Sequence, residues 1–383
     1  MKKTKVFQLG LRGIPDVQGG IEKHVEQLAP LLVNHGFDVS VLARSSYQPK
    51  LDNDAYKCVK VKKLWNPKIK GFEALIHTFI GVCYSIINRP DILHIHAVGP
   101  SLFAPLARLF GLKVVMTHHG PDYDRQKWGK FAKRILELGE DYGVNYANEV
   151  IVISKTISNL ILDKYSVESN LIPNGVTPVE PSSTLETLKK YNLDAKKYIL
   201  IVSRLVPEKR HLDLISAFEK ANIPDWKLVI VGSSDHPDSY SEQIIAKGTE
   251  GRNIITTGFL SGSPLTELFS HAGLFVLPSS HEGLPIAMLE AMSYGLPVIA
   301  SAIPANLEVD LVCGDFFELG NVEQLESLLK KYTSSELPTN KREEIVNSVI
   351  QKYNWNAIAG ATSDVYHKLL SRKSYKHRHQ DVS

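Results

Sequence analysis

The sequence predicts an α/β protein built of two doubly wound, parallel-sheet domains that face each other across a central cleft. Three observations carry this. The chain has 383 residues, more than one ordinary hydrophobic core fills. Short apolar runs alternate with helix-patterned stretches, the signature of βαβ units. That alternation stops at a segment rich in turn residues and then starts again.

The first half opens on the strand "KVFQLG" and a loop. In "IEKHVEQLAPLLVNHG", Ile21, Val25, Leu28 and Leu32 recur at spacings of four, three and four, one face of a helix, and Gly36 suits its end. "FDVSVLAR" alternates as a strand, and "DILHIHA", "KVVMTHH" and "EVIVIS" are further strands. Pro173, Asn174, Gly175, Pro178 and Pro181 mark the linker. Beyond it, "KKYILIVSRL", "WKLVIVGSS" and "NIITTGFL" are strands, with helices "RHLDLISAFEKA" and "SPLTELFSHA" among them. Residues 274–301 then give a strand, a loop, a short helix and a strand. The domains are placed at 1–178 and 179–355, with a final helix and basic tail over 356–383.

Composition narrows the function. The balance of 44 basic against 41 acidic residues, +3, argues against nucleic acid as a partner. Cys58, Cys83 and Cys313 form no C-x-x-C pair and read as reduced thiols in a cytoplasmic protein. The apolar run 71–87 holds Glu73 and His77 and is shorter than the ~20 residues of a membrane span. It reads as a buried helix. The alternative is a helix lying on a membrane surface, because six lysines fall between Lys57 and Lys70 just before it.

The chemistry clusters at strand ends, where doubly wound sheets bind ligands. Glu282 and Glu290 sit eight apart in an apolar segment. At about 100° per residue they lie some 80° apart on a helix, able to border one elongated ligand. The alternative for Glu290 is a structural partner, Lys or Arg. Gly283 admits close backbone approach, and Pro285 suits a first helical turn. Arg204 and Lys209 lie between a strand and a helix, a suitable clamp for a diphosphate or else a solvated charge cluster. Gly19 and Gly20 precede the first helix, where a phosphate or sugar can approach backbone amides, or the chain simply turns. No G-x-G-x-x-G is present, against a dehydrogenase. His118 and His119 end another strand, followed by Asp122, Arg125 and Lys127. An imidazole there suits a sugar hydroxyl or developing charge. "DYD" matches the short D-x-D of metal-using transferases, a pattern too common to weigh much. His94 and His96, with His118 and His119, have the spacing of a zinc site, but no acidic ligand completes it. They read as satisfied strand histidines.

These segments carry a resemblance. From "LRGIPDVQGGIEKHVEQLAPLLVNHGFDVSVL" through "NGV", "SRLVPEKRHLDLI" and "HEGLPIAMLEAMSYGLPVIAS" to "YNWNAIAGATSDVYHKLL", the chain resembles retaining glycosyltransferases of family 4, with two Rossmann-like domains in the GT-B architecture. Glu282 and Glu290 match the family's E-x7-E motif, behind an R-x4-K of Arg204 and Lys209. "HHGPDYDRQKW" and "RGIP…GGIE" resemble a bacterial, rhamnosyltransferase-like subgroup that builds surface polysaccharides.

The resemblance implies that Arg204 and Lys209 hold the donor diphosphate. Glu290 takes the ribose hydroxyls, and Glu282 with the amides of Gly283 and Leu284 grips the donor sugar. Gly19 and Gly20 line the phosphate side, and His119 is the active-site histidine, with His118 as the fallback. The final helix after Trp355 returns to the first domain. Arg210 departs from the glycine many members carry after the lysine. The donor is a nucleotide-diphosphate sugar, the acceptor a saccharide expected to be lipid-linked, and no metal cofactor is expected. The location is cytoplasmic, peripheral on the inner membrane face. Rival readings are a nucleotide-sugar epimerase of the same fold, a zinc-dependent hydrolase, and a non-catalytic nucleotide-sugar binder.

Overall fold

The computed structural model describes residues 3–67, 69, 72–124, 129–250 and 253–372. Lys68, Lys70, Arg125, Lys127 and nearly all of the basic tail lie outside them.

The first sheet comprises β1 (Lys5–Leu9), β2 (Asp38–Arg44), β3 (Ala55–Tyr56), β4 (Val59–Leu64), β5 (Ile92–His96), β6 (Val114–His118), β7 (Glu149–Val152) and β8 (Asn170–Leu171). Their order is β3-β4-β2-β1-β5-β6-β7-β8, parallel throughout except where β3 pairs antiparallel with β4. The second sheet comprises β9 (Tyr198–Val202), β10 (Lys227–Val231), β11 (Ile254–Gly258), β12 (Leu274–Leu277), β13 (Val298–Ser301) and β14 (Gly314–Phe317), ordered β11-β10-β9-β12-β13-β14 and all parallel. Helices cover both faces of such sheets, so central strands are buried on both sides and read as continuous apolar runs. Tyr198, Ile199, Leu200 and Ile201 are each fully buried. The expected pair of doubly wound domains is the observed architecture.

The lysine-rich stretch before the apolar helix differs from expectation. Part of it is the strand β4, "VKVKKL", with Val59 and Val61 buried and Lys60 and Lys62 outward. Lys60 pairs with Asp38 at 2.7 Å and Lys63 with Asp54 at 3.4 Å. The apolar run itself forms helix α2 (Phe72–Asn88). One face is buried through His77, Thr78, Val82 and Ser85, while Phe72, Phe79 and Ile87 are exposed. Neither simple reading of that run holds alone. Among the described residues no helix is long and apolar enough to cross a membrane, and all three cysteines are free.

Two chain crossings join the halves side by side. The Val176 amide donates to the Tyr353 carbonyl at 2.7 Å, and Val176 pairs in parallel with Asn354. Asn354 caps the last helix, Trp355–Ser371, accepting from the Asn356 amide at 2.8 Å. That helix buries Trp355, Ile358, Ala359, Tyr366 and Leu369 in the same apolar cluster as Val6, Val25, Leu28 and Val39 of the first domain. A side chain at Gly175 would meet the Trp355 ring at 2.6 Å, which fixes the close approach of the two crossings.

Candidate active site

Among the parallel strands of each sheet the order reverses once, between β1 and β5 and between β9 and β12. The carboxyl ends of those strands are where doubly wound sheets bind ligands. Both open onto one cavity of about 1560 Å³, beyond the ~300–1,000 Å³ typical of a site for one small molecule.

The second domain supplies the charged wall. Arg204 follows β9, Lys209 lies in the next turn, and Glu282, Gly283 and Leu284 follow β12. Glu290 stands on the short helix Ile286–Ser293, and all of them line the cavity. Lys209 Nζ donates to Glu282 Oε1, so an entering anion competes with a carboxylate for that ammonium. Arg204 Nη1 lies 3.9 Å from Asp235 Oδ2. Arg210 takes the left-handed conformation, φ +50°, that glycine adopts freely, and Asp213 anchors its guanidinium at 2.6 Å. The departure from glycine therefore leaves the turn intact.

Glu290 has the structural partner that one reading of the sequence foresaw, and it stands where the other would place a ligand. It lines the cavity and also pairs with Lys23 of the first domain at 3.5 Å. The carboxylate raises the Lys23 pKa.

The first domain supplies glycines and histidines. Gly19 has φ +151°, and a side chain there would sit 2.0 Å from Glu22 Oε2, whereas nothing stands within 4 Å at Gly20. Gly20 begins helix α1 (Gly20–Asn34), whose N-terminus faces the cavity. His118 and His119 diverge because successive strand residues point to opposite faces. His118 is fully buried, its Nε2 2.9 Å from Glu140 Oε1 and its Nδ1 accepting from the Gly120 amide at 3.1 Å. His119 lines the cavity, and its Nε2 lies 3.1 Å from His96 Nδ1. Burial, together with neighbouring His24, His94 and His118, holds the His119 pKa well below the ordinary histidine value. A neutral imidazole therefore faces the cleft. His94 is a satisfied strand histidine, bonded to Tyr366 Oη and Thr117 Oγ1, each at 2.6 Å. The zinc set of His94, His96, His118 and His119 is thus not assembled. Asp122 lines the cavity.

The sequence reading passed over several wall residues. Arg12, just past β1, donates from Nε to Glu22 Oε1 at 3.2 Å and from Nη1 to Asp235, which ties the first domain to the second. Gln18 Oε1 accepts from Ser233 Oγ across the same gap at 2.7 Å. Desolvation works against the Arg12 charge, and Glu22 and Asp235 outweigh it, so its pKa is raised. A charge three residues beyond a strand end was the signal for Arg12. For Lys23 and Asp235 no local signal exists, because their partners lie in the other domain.

Comparison with known proteins finds glycosyltransferase families along both halves of the chain. The family described as "Glycosyl transferases group 1" matches residues 184–352, and "Glycosyltransferase Family 4" matches residues 18–180. An uncharacterized glycosyltransferase of Methanocaldococcus jannaschii is 27% identical over 376 residues, covering 92% of this chain and 95% of that one. The UDP-Gal:alpha-D-GlcNAc-diphosphoundecaprenol alpha-1,3-galactosyltransferase of Escherichia coli is 25% identical with the same coverage. Among solved structures, sucrose-phosphate synthase from Thermosynechococcus elongatus superposes with a TM-score of 0.79 at 22% identity, over 97% of this chain and 100% of that one. Anabaena HepE, solved with UDP-glucose, gives 0.78 at 16% identity over 95% and 99%.

Proposed function

The chain belongs to the glycosyltransferases of family 4, folded in the GT-B architecture, and from that membership we propose that it moves a sugar from a nucleotide-diphosphate donor onto a lipid-linked saccharide, retaining anomeric configuration, in assembly of a bacterial surface polysaccharide. One observation carries the reading. Arg204, Lys209, Glu282 and Glu290 of one domain and His119 of the other line a single cavity at both strand-order reversals.

In this reading the donor diphosphate lies against Arg204 and Lys209, whose charges stabilise the negative charge left as the glycosidic bond breaks. No metal is needed for that. Glu290 accepts from ribose hydroxyls. Glu282 and the amides of Gly283 and Leu284 hold the donor sugar, and the neutral His119 imidazole offers it a hydrogen bond. The α1 N-terminus beside Gly19 and Gly20 adds aligned amides on the phosphate side. Retention follows from attack on the face the phosphate leaves, the departing oxygen taking the acceptor's proton while the protein positions both substrates.

Two features support a lipid-linked acceptor. The Escherichia coli relative is named for a diphosphoundecaprenol-linked acceptor. The first-domain rim of the cavity is apolar, with Phe72, Leu75, Phe131 and Ile135 among its lining. Trp65 and Ile69, which follow Lys57, Lys60, Lys62 and Lys63 in the chain, are 62% and 59% exposed, and Phe131 is 77% exposed. That combination suits peripheral contact with an anionic membrane face.

The test is a thermal-shift panel of UDP, GDP, dTDP and CMP with their sugars, each with and without EDTA, followed by transfer to a polyprenyl-diphosphate saccharide. One nucleoside diphosphate should stabilise the protein irrespective of EDTA, and the product should keep the donor's anomeric configuration. An inverted product, or stabilisation by none of the nucleotides, defeats the reading. Donor conversion without acceptor would favour the epimerase, and donor binding without consumption the non-catalytic binder.

A further inference from the structure

We propose that His24, His96 and His119 together bind one transition-metal cation of the zinc class, at the first-domain wall of the cleft. One ring nitrogen from each of the three lies within 4.8 Å of the others. His96 Nδ1 and His119 Nε2 are 3.1 Å apart. A tetrahedral ion with bonds of about 2.0–2.1 Å sets its donors roughly 3.3 Å apart, so one edge of the tetrahedron already exists. The third donor comes from helix α1, where the His24 ring stands edge-on to His119 with centroids 4.9 Å apart.

The surrounding hydrogen bonds set the tautomers a metal requires. Asn174 Nδ2 donates to the Leu284 carbonyl at 2.9 Å, which turns its Oδ1 to His24 Nδ1 at 2.9 Å. His24 Nδ1 must therefore donate, and Nε2 keeps its lone pair. Gln8 Nε2 donates to Tyr366 Oη at 3.2 Å, which turns its Oε1 to His96 Nε2 at 2.6 Å. His96 Nε2 donates, and Nδ1 keeps its lone pair. Outer partners of this kind orient metal-binding imidazoles. Without a cation, His119 donates its Nε2 proton to His96 Nδ1. On binding, that proton passes through solvent to His119 Nδ1, and the chain loses no proton.

Coordination turns His119 Nδ1 from an acceptor into a donor on the cleft wall, so Zn²⁺ should inhibit sugar transfer reversibly. That consequence rests on the donor site proposed above; the binding does not.

The experiment titrates the chelated and dialysed full chain with ZnCl₂ by calorimetry. One equivalent should bind, at least tenfold more weakly in His24→Gln and His119→Gln, and about tenfold more weakly in Gln8→Leu through the outer partner. The double variant His377→Gln/His379→Gln, in the basic tail, should bind as the wild type does. Co²⁺ on the wild-type chain should give the intense visible absorption of a tetrahedral site, a reading that needs no variant to fold. Less than one equivalent, unchanged binding in both histidine variants, loss of binding in the tail variant, or a weak octahedral cobalt spectrum each overturns the proposal.

Discussion

Gly283→Ala should act as a wedge between the two domains. A methyl at Gly283 would sit 2.1 Å from the His119 carbonyl oxygen and 3.1 Å from Ile153 Cδ1, both in the first domain. Contacts under 3.0 Å essentially never occur at a real Cβ, so the two walls must part by about 0.9 Å at this point. The carbonyl is backbone and cannot swing aside. Overpacking of this size costs about 1–3 kcal/mol. Displacing a bound substrate by about 1 Å costs on the order of 100-fold in rate, some 2.7 kcal/mol of barrier. The assay is transfer kinetics with the identified donor, beside thermal melting. We expect kcat/KM to fall about 100-fold while the protein stays folded. Gly360→Ala, in the last helix with nothing within 4 Å of the added carbon, should leave kinetics alone and add about 0.5–1 kcal/mol of stability. Activity within threefold of wild type for Gly283→Ala would refute the reasoning, since the cleft then does not work at this separation.

Three further outcomes are expected. Arg204→Ala and Glu282→Ala should each lower kcat about 100- to 1,000-fold; near-full transfer by both would mean that the chemistry lies elsewhere. Glu290→Gln should raise the donor KM about tenfold but move stability by less than about 1 kcal/mol, because its pair with Lys23 is partly exposed; a large loss of melting temperature would instead mark it as structural. Burial lowers the pKa of His24 and His77 to about 4 and of His94 and His211 to about 3, from 6.5. Between those values the unfolded chain binds protons that the folded chain does not, so their contribution is complete above pH 6.5 and is lost as the pH falls. Each adds up to ~1.4 kcal/mol per pH unit. The urea midpoint should be flat from pH 8 to 7 and fall steeply from 6.5 towards 4, and a flat profile down to pH 5 would contradict this.

The fold was legible because parallel strands buried on both faces leave nearly pure apolar runs such as "YILIV", and because proline and glycine punctuate the linker. β4 was less legible. Its alternation of valine and lysine was present in the sequence, but the six-lysine count drew attention to charge rather than to period. The site was legible on the second domain, where Arg204, Lys209, Glu282 and Glu290 follow strands in local, recognisable motifs. Their partners were not. That Lys23 reaches Glu290 and that Arg12 reaches Asp235 depends on how two sheets face each other, and no window of sequence holds both ends. The choice between His118 and His119 was open for a related reason. Adjacent strand residues point to opposite faces, and which face meets the cleft is decided by Glu140, Lys164 and Tyr165, gathered on the far side.

The closing helix has a consequence for biosynthesis. Trp355, Ile358, Tyr366 and Leu369 complete the interior that Val6, Val25 and Val39 begin, yet the ribosome reaches them only after the second sheet has been made. The amino-terminal half must therefore wait, partly assembled, until the last turns emerge, and a chain interrupted just after Tyr353 would be a quality-control substrate at the end furthest from the break.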